Sequence, residues 1–220
     1  MDLHQRFDVA ATKIDVAGRH WVLEHPRSAE DLISEPDFEH DERLPYWADI
    51  WPSARVLADL LVRHQGHGRS ALELGCGSGL VACALAAAAY AVTATDYYED
   101  ALAFTAANVT RNTGMMARTR LVDWRALPTD LGRFDLVVGS DVLYERAYAT
   151  LVADAIAATL APAGAAIIAD PGRLAYREFL EAASARGLVV DETWTVPHEL
   201  ESQRHQVRLV VLKARGSAQP

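Results

Sequence analysis

The stretch Ser70-Ala-Leu-Glu-Leu-Gly-Cys-Gly-Ser-Gly-Leu-Val-Ala82 limits the folds open to this chain more than any other. Its apolar residues Ala71, Leu72 and Leu74 run into Gly75-x-Gly77-x-Gly79, and a continuous apolar run, Leu80 to Ala89, follows at once. That order predicts strand, tight loop and buried helix. Alternate glycines allow positive φ and let a ligand approach the main chain without meeting a Cβ. The free N–H groups at the start of the helix favour a carboxylate or phosphate.

Spacing narrows the choice of ligand. A P-loop needs Gly-Lys-Ser or Gly-Lys-Thr, and neither occurs in the chain. A dinucleotide fingerprint fails when counted from Gly75 but, counted from Gly77, ends on a permitted Ala82, so that reading stays open. Ala91-Val-Thr-Ala-Thr95 is a second strand, ending on Asp96, 21 residues after Gly75. An acid at this offset can accept hydrogen bonds from two vicinal ribose hydroxyls. A strand-end Asp can also simply cap the next helix.

Strands and helices go on alternating. Tyr97 to Gly114 reads as a helix with Glu99 and Asp100 in its first turn, and Arg118 to Val122 as a strand reaching Asp123-Trp124. Phe134 to Gly139 is a nearly continuous apolar strand that leads into Ser140-Asp141-Val-Leu-Tyr144. A helix over Arg146 to Leu160 stops at Pro162 and Gly164, and Ala165 to Ala169 is a strand ending at Asp170-Pro-Gly172. Leu174 to Arg186 is a helix, and Leu188–Val196 and Gln206–Leu212 are closing strands joined by a polar link from Pro197 to His205. This alternation specifies a parallel α/β sheet with ligand residues at the carboxyl ends of its strands. Glu73, Asp96, Asp123, Asp141 and Asp170 all fall there. Such an acidic edge repels a phosphate-rich ligand and suits a sulfonium, ribose hydroxyls and an adenine amine.

Upstream, two alternating runs about Ala17-Gly18 predict a β-hairpin over residues 8–25, and the acidic Asp31–Glu42 stretch a loop or short helix. A helix starts near Ser53, carrying Val56, Leu57, Leu60 and Leu61 as an apolar stripe. Just before it, Tyr46, Trp47 and Trp51 form an aromatic cluster, readable as core packing or as a wall whose ring faces attract a cation. The tail, Arg215 to Pro220, reads as frayed.

Composition removes several classes. With 21 basic and 30 acidic residues the net charge is −9 and no basic patch is visible, which argues against a nucleic-acid partner. Cys76 and Cys83, the two cysteines, make neither a CxxC nor a zinc pattern, so no metal is expected, and Cys76 reads as a small filler of the glycine loop rather than a nucleophile. No apolar window of ~18 residues and no signal-peptide pattern at Met1-Asp-Leu-His-Gln-Arg lead to the expectation of a soluble, cytoplasmic monomer without a membrane partner.

Glu73-Leu-Gly-Cys-Gly-Ser-Gly79, Asp96, Asp123-Trp124 and Phe134-Asp-Leu-Val-Val-Gly-Ser-Asp-Val-Leu-Tyr144 together resemble the motifs of class I S-adenosylmethionine-dependent methyltransferases. Asp141-x-x-Tyr144 and Tyr46-Trp-Ala-x-x-Trp-Pro52 are similar, more specifically, to methyltransferase family 16, which includes protein lysine methyltransferases. The resemblance implies a Rossmann-like α/β fold: a seven-stranded, mostly parallel sheet with helices on both faces. To this the hairpin adds an N-terminal extension, residues 1–45, before a methyltransferase domain over 46–220. It implies S-adenosyl-L-methionine as cofactor, with Gly75, Gly77 and Gly79 along its methionine part, Asp96 at the ribose and Asp123-Trp124 at the adenine. Trp51, Glu73, Cys76, Tyr97 and Ser140 complete the expected cofactor site. Asp141 would lie beside the acceptor amine and Tyr144 would support the pocket wall. The bulky Tyr97-Tyr98 pair departs from the small residues often found after the ribose acid. The acceptor this implies is a protein lysine; a small-molecule N- or O-methyltransferase and a non-catalytic S-adenosylmethionine-binding protein are the alternatives.

Overall fold

The computed structural model describes residues 3–29, 32, 45–200 and 203–216. The expectation for Asp31–Glu42 therefore falls, apart from residue 32, outside the described residues, as does the tail beyond residue 216. A single turn of helix, α1 (Leu3–Arg6), precedes the hairpin of β1 (Val9–Val16) and β2 (Arg19–Pro26). Its two-residue turn puts both Ala17 (φ 50°) and Gly18 (φ 80°) in the left-handed region, the twist that a tight hairpin needs.

The main body alternates as expected: α2 (Pro52–Leu61), β3 (Ser70–Leu74), α3 (Leu80–Ala87), β4 (Ala91–Asp96), α4 (Glu99–Thr113) and β5 (Arg118–Leu121). Then follow β6 (Phe134–Ser140), α5 (Arg146–Thr159), β7 (Leu160–Asp170), α6 (Tyr176–Ala185), β8 (Leu188–Leu200) and β9 (Gln203–Ala214). The seven-stranded sheet runs β5-β4-β3-β6-β7-β9-β8; the pairs from β5 to β7 are parallel, and β9 is antiparallel to both of its neighbours.

Alternation along the central strands divides the core in two. Ala71 of β3 with Leu136 and Val138 of β6 face α2, α3 and α4, whereas Leu72, Leu74 and Val137 face α5 and α6. Both faces of the sheet are covered, which accounts for the nearly continuous apolar run of β6. Helix α3 is apolar all round because it is enclosed between the sheet, α2 and α4; Leu80 to Ala86 are all buried. Pro52 at the first position of α2 and left-handed Gly114 after α4 set those helix ends.

Two expectations need correction. Pro162 and Gly164 stop the helix but do not delay the strand: β7 begins at Leu160, directly after Thr159. A Cβ on Gly164 would lie 2.9 Å from the Phe134 carbonyl oxygen, so the glycine serves a close backbone approach at the irregular start of the β6–β7 pairing. The supposed link from Pro197 to His205 is instead strand, with Pro197 opposite Gln206. Proline is tolerated there because β8 is an edge strand with β9 as its one neighbour.

The hairpin is bolted to α4 by two side-chain amides one helical turn apart. Asn108 Oδ1 accepts from Glu24 N–H at 2.9 Å and its Nδ2 donates to the Glu24 carbonyl at 2.7 Å, while Asn112 makes the same pair of bonds with Val22 at 2.9 and 3.0 Å. Nδ2 of Asn108 also donates to the carbonyl of Ser78, in the glycine loop, at 2.9 Å. Ile14, Val16, Trp21 and Leu23 close the apolar contact with the same face. Asn108 is fully buried, so Asn108→Ala strands three backbone groups; it should lower the unfolding free energy by about 2–4 kcal/mol. Urea unfolding checks this, and an unchanged midpoint would mean that these bonds add no net stability.

Candidate functional site

The strand order reverses between β3 and β6, the place where an open α/β sheet forms a crevice at the carboxyl ends of its strands. A cavity lies there. Trp51, Glu73, Gly75, Cys76, Gly77, Asp96, Tyr97, Asp123, Trp124, Ser140, Asp141 and Tyr144 all line it, so twelve of the thirteen residues assigned from the sequence to the cofactor and acceptor sites meet in one place. Gly79 is the exception. A Cβ on it would come 2.7 Å from Thr105, so this glycine lets α3 pack closely on α4 and does not border the cavity. Gly77 likewise faces the carbonyl oxygen of Trp47, 3.1 Å from a Cβ position. A Cβ on Gly75 would meet Val142 and Trp124, two further lining residues, at 3.2 and 3.5 Å, so Gly75 and Gly77 both border the site.

The loop is held by Asp96. Its Oδ2 accepts from the Gly77 N–H at 2.9 Å and its Oδ1 from the Tyr98 N–H at 3.1 Å. Thr105 supports the same turn by donating to the Gly77 carbonyl at 3.0 Å. Burial pushes the Asp96 carboxyl up, and the backbone N–H groups of Gly77, Tyr98 and Tyr97 act in the opposite sense. Beside it, Glu73 is buried, its Oε2 has no partner among the described residues, and burial together with the Asp96 charge raises its carboxyl well above the ordinary range. A cation or hydroxyl donor bound at this floor would relieve both groups; a phosphate would aggravate them. Cys76 is raised well above the usual thiol value by burial and by Asp96 and Glu73, which suits a filler and not a thiolate nucleophile.

At the other end, β6 delivers Asp141 in a left-handed conformation (φ 55°), which only a few non-glycine residue types adopt readily. Its N–H donates to the Ala169 carbonyl at 3.0 Å, and Oδ1 accepts from Arg173 Nη2 at 3.1 Å. Oδ2 is buried and has no partner among the described residues. Asp170, the fifth strand-end acid, does not line the cavity. It is fully buried and accepts the N–H groups of Gly172 and Arg173 at 2.7 and 2.8 Å, shaping the turn after β7. Asp123 caps the short 3-10 turn Trp124–Ala126, accepting from the Arg125 N–H at 2.9 Å and pairing with its guanidinium.

Aromatic rings connect the two ends. Ring centroids run from Trp124 to Tyr148 (5.6 Å), Tyr148 to Tyr144 (4.7 Å), Tyr144 to Tyr46 (5.2 Å) and Tyr46 to Trp51 (5.9 Å). The upstream cluster is shared between core and cavity: Trp47 packs on Phe104 in a small core of its own and also borders the cavity, while Tyr46 and Trp51 line it. Val142, Tyr98, Tyr148 and Arg173 also line the cavity without having been singled out. Arg173 alone carried a readable signal, since it lies three residues after a strand-end acid, in the kind of loop that bears function.

The family model described as lysine methyltransferase, methyltransferase family 16, matches residues 37–183. This chain belongs to that family. The electron transfer flavoprotein beta subunit lysine methyltransferase of Danio rerio is 29% identical over 138 residues, 61% of this chain and 53% of that protein. A protein-lysine methyltransferase of Mus musculus is 31% identical over 112 residues, 45% of this chain and 46% of its own length. The chain thus spans about half the length of these curated relatives. Among solved structures, a S-adenosylmethionine-dependent methyltransferase from Methanosarcina mazei aligns with a TM-score of 0.61 at 14% identity, over 76% of this chain and 99% of that one. A second, from Corynebacterium glutamicum, aligns with a TM-score of 0.58 at 22% identity, over 76% and 89%. These likenesses establish the Rossmann-like fold, and family and fold together imply S-adenosylmethionine as the cofactor. The acid floor, where Glu73 Oε2 has no partner among the described residues, fits a cofactor that carries a sulfonium, an amine and two ribose hydroxyls. Among the described residues no cluster of His, Cys, Asp and Glu has the arrangement of a metal site, and no helix is long and apolar enough to cross a membrane.

A raised carboxyl opposes folding above its unfolded value of about 4.3 and ceases to do so once acid protonates it in both states. Glu73→Gln should therefore raise the melting temperature of the protein at pH 8 by about 2–4 °C or more and leave it nearly unchanged at pH 4. Thermal unfolding at the two values, without added cofactor, reads this; equal shifts at both would rule out a buried charge as the cause.

Proposed function

We propose that this protein transfers the methyl group of S-adenosylmethionine to the side-chain amine of a protein lysine. The observation that carries the reading is Asp141, a buried carboxylate at the cavity wall with one oxygen engaged and the other without a partner, on the Asp-x-x-Tyr motif of the family. The names of the two curated relatives support lysine as the acceptor.

When bound, S-adenosylmethionine supplies a methyl group already activated on a sulfonium. The residues of the chain then have to hold, align and desolvate. Asp96 receives the ribose hydroxyls while it keeps the glycine loop in shape, and Glu73 takes a donor at its buried Oε2. Trp124 and Tyr97 enclose the adenine together with Asp123. Gly75 leaves room between Val142 and Trp124 for the methionine part. Gly77 and Gly79 contribute through loop shape and helix packing. Cys76 and Ser140 fill the loop and the strand end, and Trp51 walls the sulfonium side.

A lysine amine with an ordinary pKa of about 10.4 must give up a proton to water before its lone pair can attack. Oδ2 of Asp141 accepts an N–H of that amine and stabilises the positive charge that grows on nitrogen as the methyl group arrives. Tyr144, packed edge-on against Tyr46 and tilted against Tyr148, keeps the amine's path narrow and dry. Alignment behind the sulfonium is worth more here than acid–base chemistry, since the donor is already activated. A domain division at residue 45 belongs to the same proposal, as do the cytoplasmic, monomeric setting and the absence of a nucleic-acid partner; the net charge of −9 supports the last.

Radiolabelled methyl from S-adenosylmethionine, offered with a fractionated lysate of the source cell, should enter a discrete protein band, and Asp96→Ala should abolish this together with cofactor binding. Label confined to small molecules would replace lysine by a metabolite acceptor. Asp141→Asn should cut turnover by about an order of magnitude or more and change the affinity for S-adenosylhomocysteine less than about threefold. Turnover at the wild-type level in that variant would remove Asp141 from the mechanism.

A further inference from the structure

We infer that Arg173 is a resident competitor of the acceptor: from Asp141 Oδ1 it covers the approach from the rim to Oδ2, where the amine is received, and it gives way to an incoming cationic amine. The inference rests on the lysine-acceptor reading above. Three observations carry it. The first is the pairing itself. Arg173 Nη2 lies 3.1 Å from Asp141 Oδ1, and its guanidinium carbon sits 5.3 Å from the centre of the Trp51 ring. A carboxylate beside an aromatic face is the environment that an alkylammonium group seeks, and the chain's own cation already fills it.

The second is position. The Asp141 side chain is 4% exposed and that of Arg173 33%, so the arginine reaches inward from the rim. Arg173 and Tyr144 line both the cavity and a shallow groove outside it, whose other walls are Arg146, Gly172, Leu174 and Ala175. An acceptor chain lying in that groove, against the exposed Leu174, meets Arg173 before it meets Asp141.

The third is how Arg173 is held. Its Nε is buried without a partner among the described residues, so the guanidinium is incompletely satisfied where it sits. Its backbone is anchored separately: the N–H groups of Gly172 and Arg173 both donate to Asp170 Oδ1. The side chain can therefore leave Asp141 without unmaking the turn that carries it.

Together these make an exchange of like for like. An incoming ammonium replaces the guanidinium one charge for one, and Asp141 stays compensated throughout. A neutral hydroxyl or thiol would have to displace the arginine and leave a buried carboxylate unpaired, which is costly. While Arg173 is seated, the apparent affinity for any amine falls by the fraction of molecules that remain open.

Calorimetric titration of n-butylammonium, the lysine side chain in miniature, into the full chain saturated with S-adenosylhomocysteine tests this, with n-butanol as the neutral probe. Arg173→Ala and Arg173→Gln should each bind n-butylammonium about tenfold more tightly than the wild type. Arg173→Lys should restore the wild-type value, and adding Asp141→Asn to Arg173→Ala should remove the gain. Unchanged or weaker n-butylammonium binding in both neutral variants, with S-adenosylhomocysteine still bound normally, would overturn the inference; so would a gain that persists when Asp141→Asn is added, which would mean that space alone had opened, or wild-type binding of n-butanol as tight as that of n-butylammonium. Failure of the wild type to bind S-adenosylhomocysteine would instead sink the functional reading, and the inference with it.

Discussion

Two backbone N–H groups, those of Gly77 and Tyr98, converge on the Asp96 carboxylate, and the cofactor side of the cavity takes its shape from that convergence. Left-handed Gly75, Gly77 and Gly79 turn the chain sharply between β3 and α3, and such a turn leaves amides without helical or sheet partners. Asp96 satisfies one from the neighbouring strand end, so β4 and the glycine loop are fixed together. Burial of the carboxylate is offset in part by the amides it receives. Thr105 and Asn108 of α4 hold the next two carbonyls, of Gly77 and Ser78. Thus the loop is clamped from β4 and α4 at once, and little of it has to move when a ligand arrives.

The two ends of the cavity treat charge in opposite ways. At the floor, burial and the nearby Asp96 charge raise the Glu73 carboxyl, and among the described residues its Oε2 has no partner. At the mouth, Asp141 already has a guanidinium partner. The proposed reaction has to receive a permanent cation and an amine that arrives protonated at two separate places. An uncompensated floor and a compensated mouth do this, with the rings of Trp124, Tyr148, Tyr144 and Tyr46 lying between them.

Much of this was legible in the sequence where the cause is local. The strand–loop–helix of residues 70–87 follows from periodicity and glycine placement, and the acids that line the cavity stand at strand ends that periodicity locates. What escaped depends on which elements become neighbours. Arg173 meets Asp141 across 32 residues because β7 pairs beside β6. Gly79 looked like part of a ligand cradle, but its space is taken by Thr105 of α4, a contact that no local pattern announces. Pro197 argued for a break, and only the edge position of β8 makes it harmless.

The bonds between the hairpin and α4 join residues some 84 positions apart. During synthesis β1 and β2 emerge before α4, and a lone two-stranded hairpin is marginal in water. At ribosomal speeds of ~5–20 residues per second, Asn108 and Asn112 appear only ~4–17 s later. For that interval the apolar side of the hairpin, Ile14, Val16, Trp21 and Leu23, lacks the α4 face on which β2 is anchored. The hairpin is thus secured to the body only once α4 has emerged, and until then the nascent chain carries an exposed apolar face that a chaperone can hold.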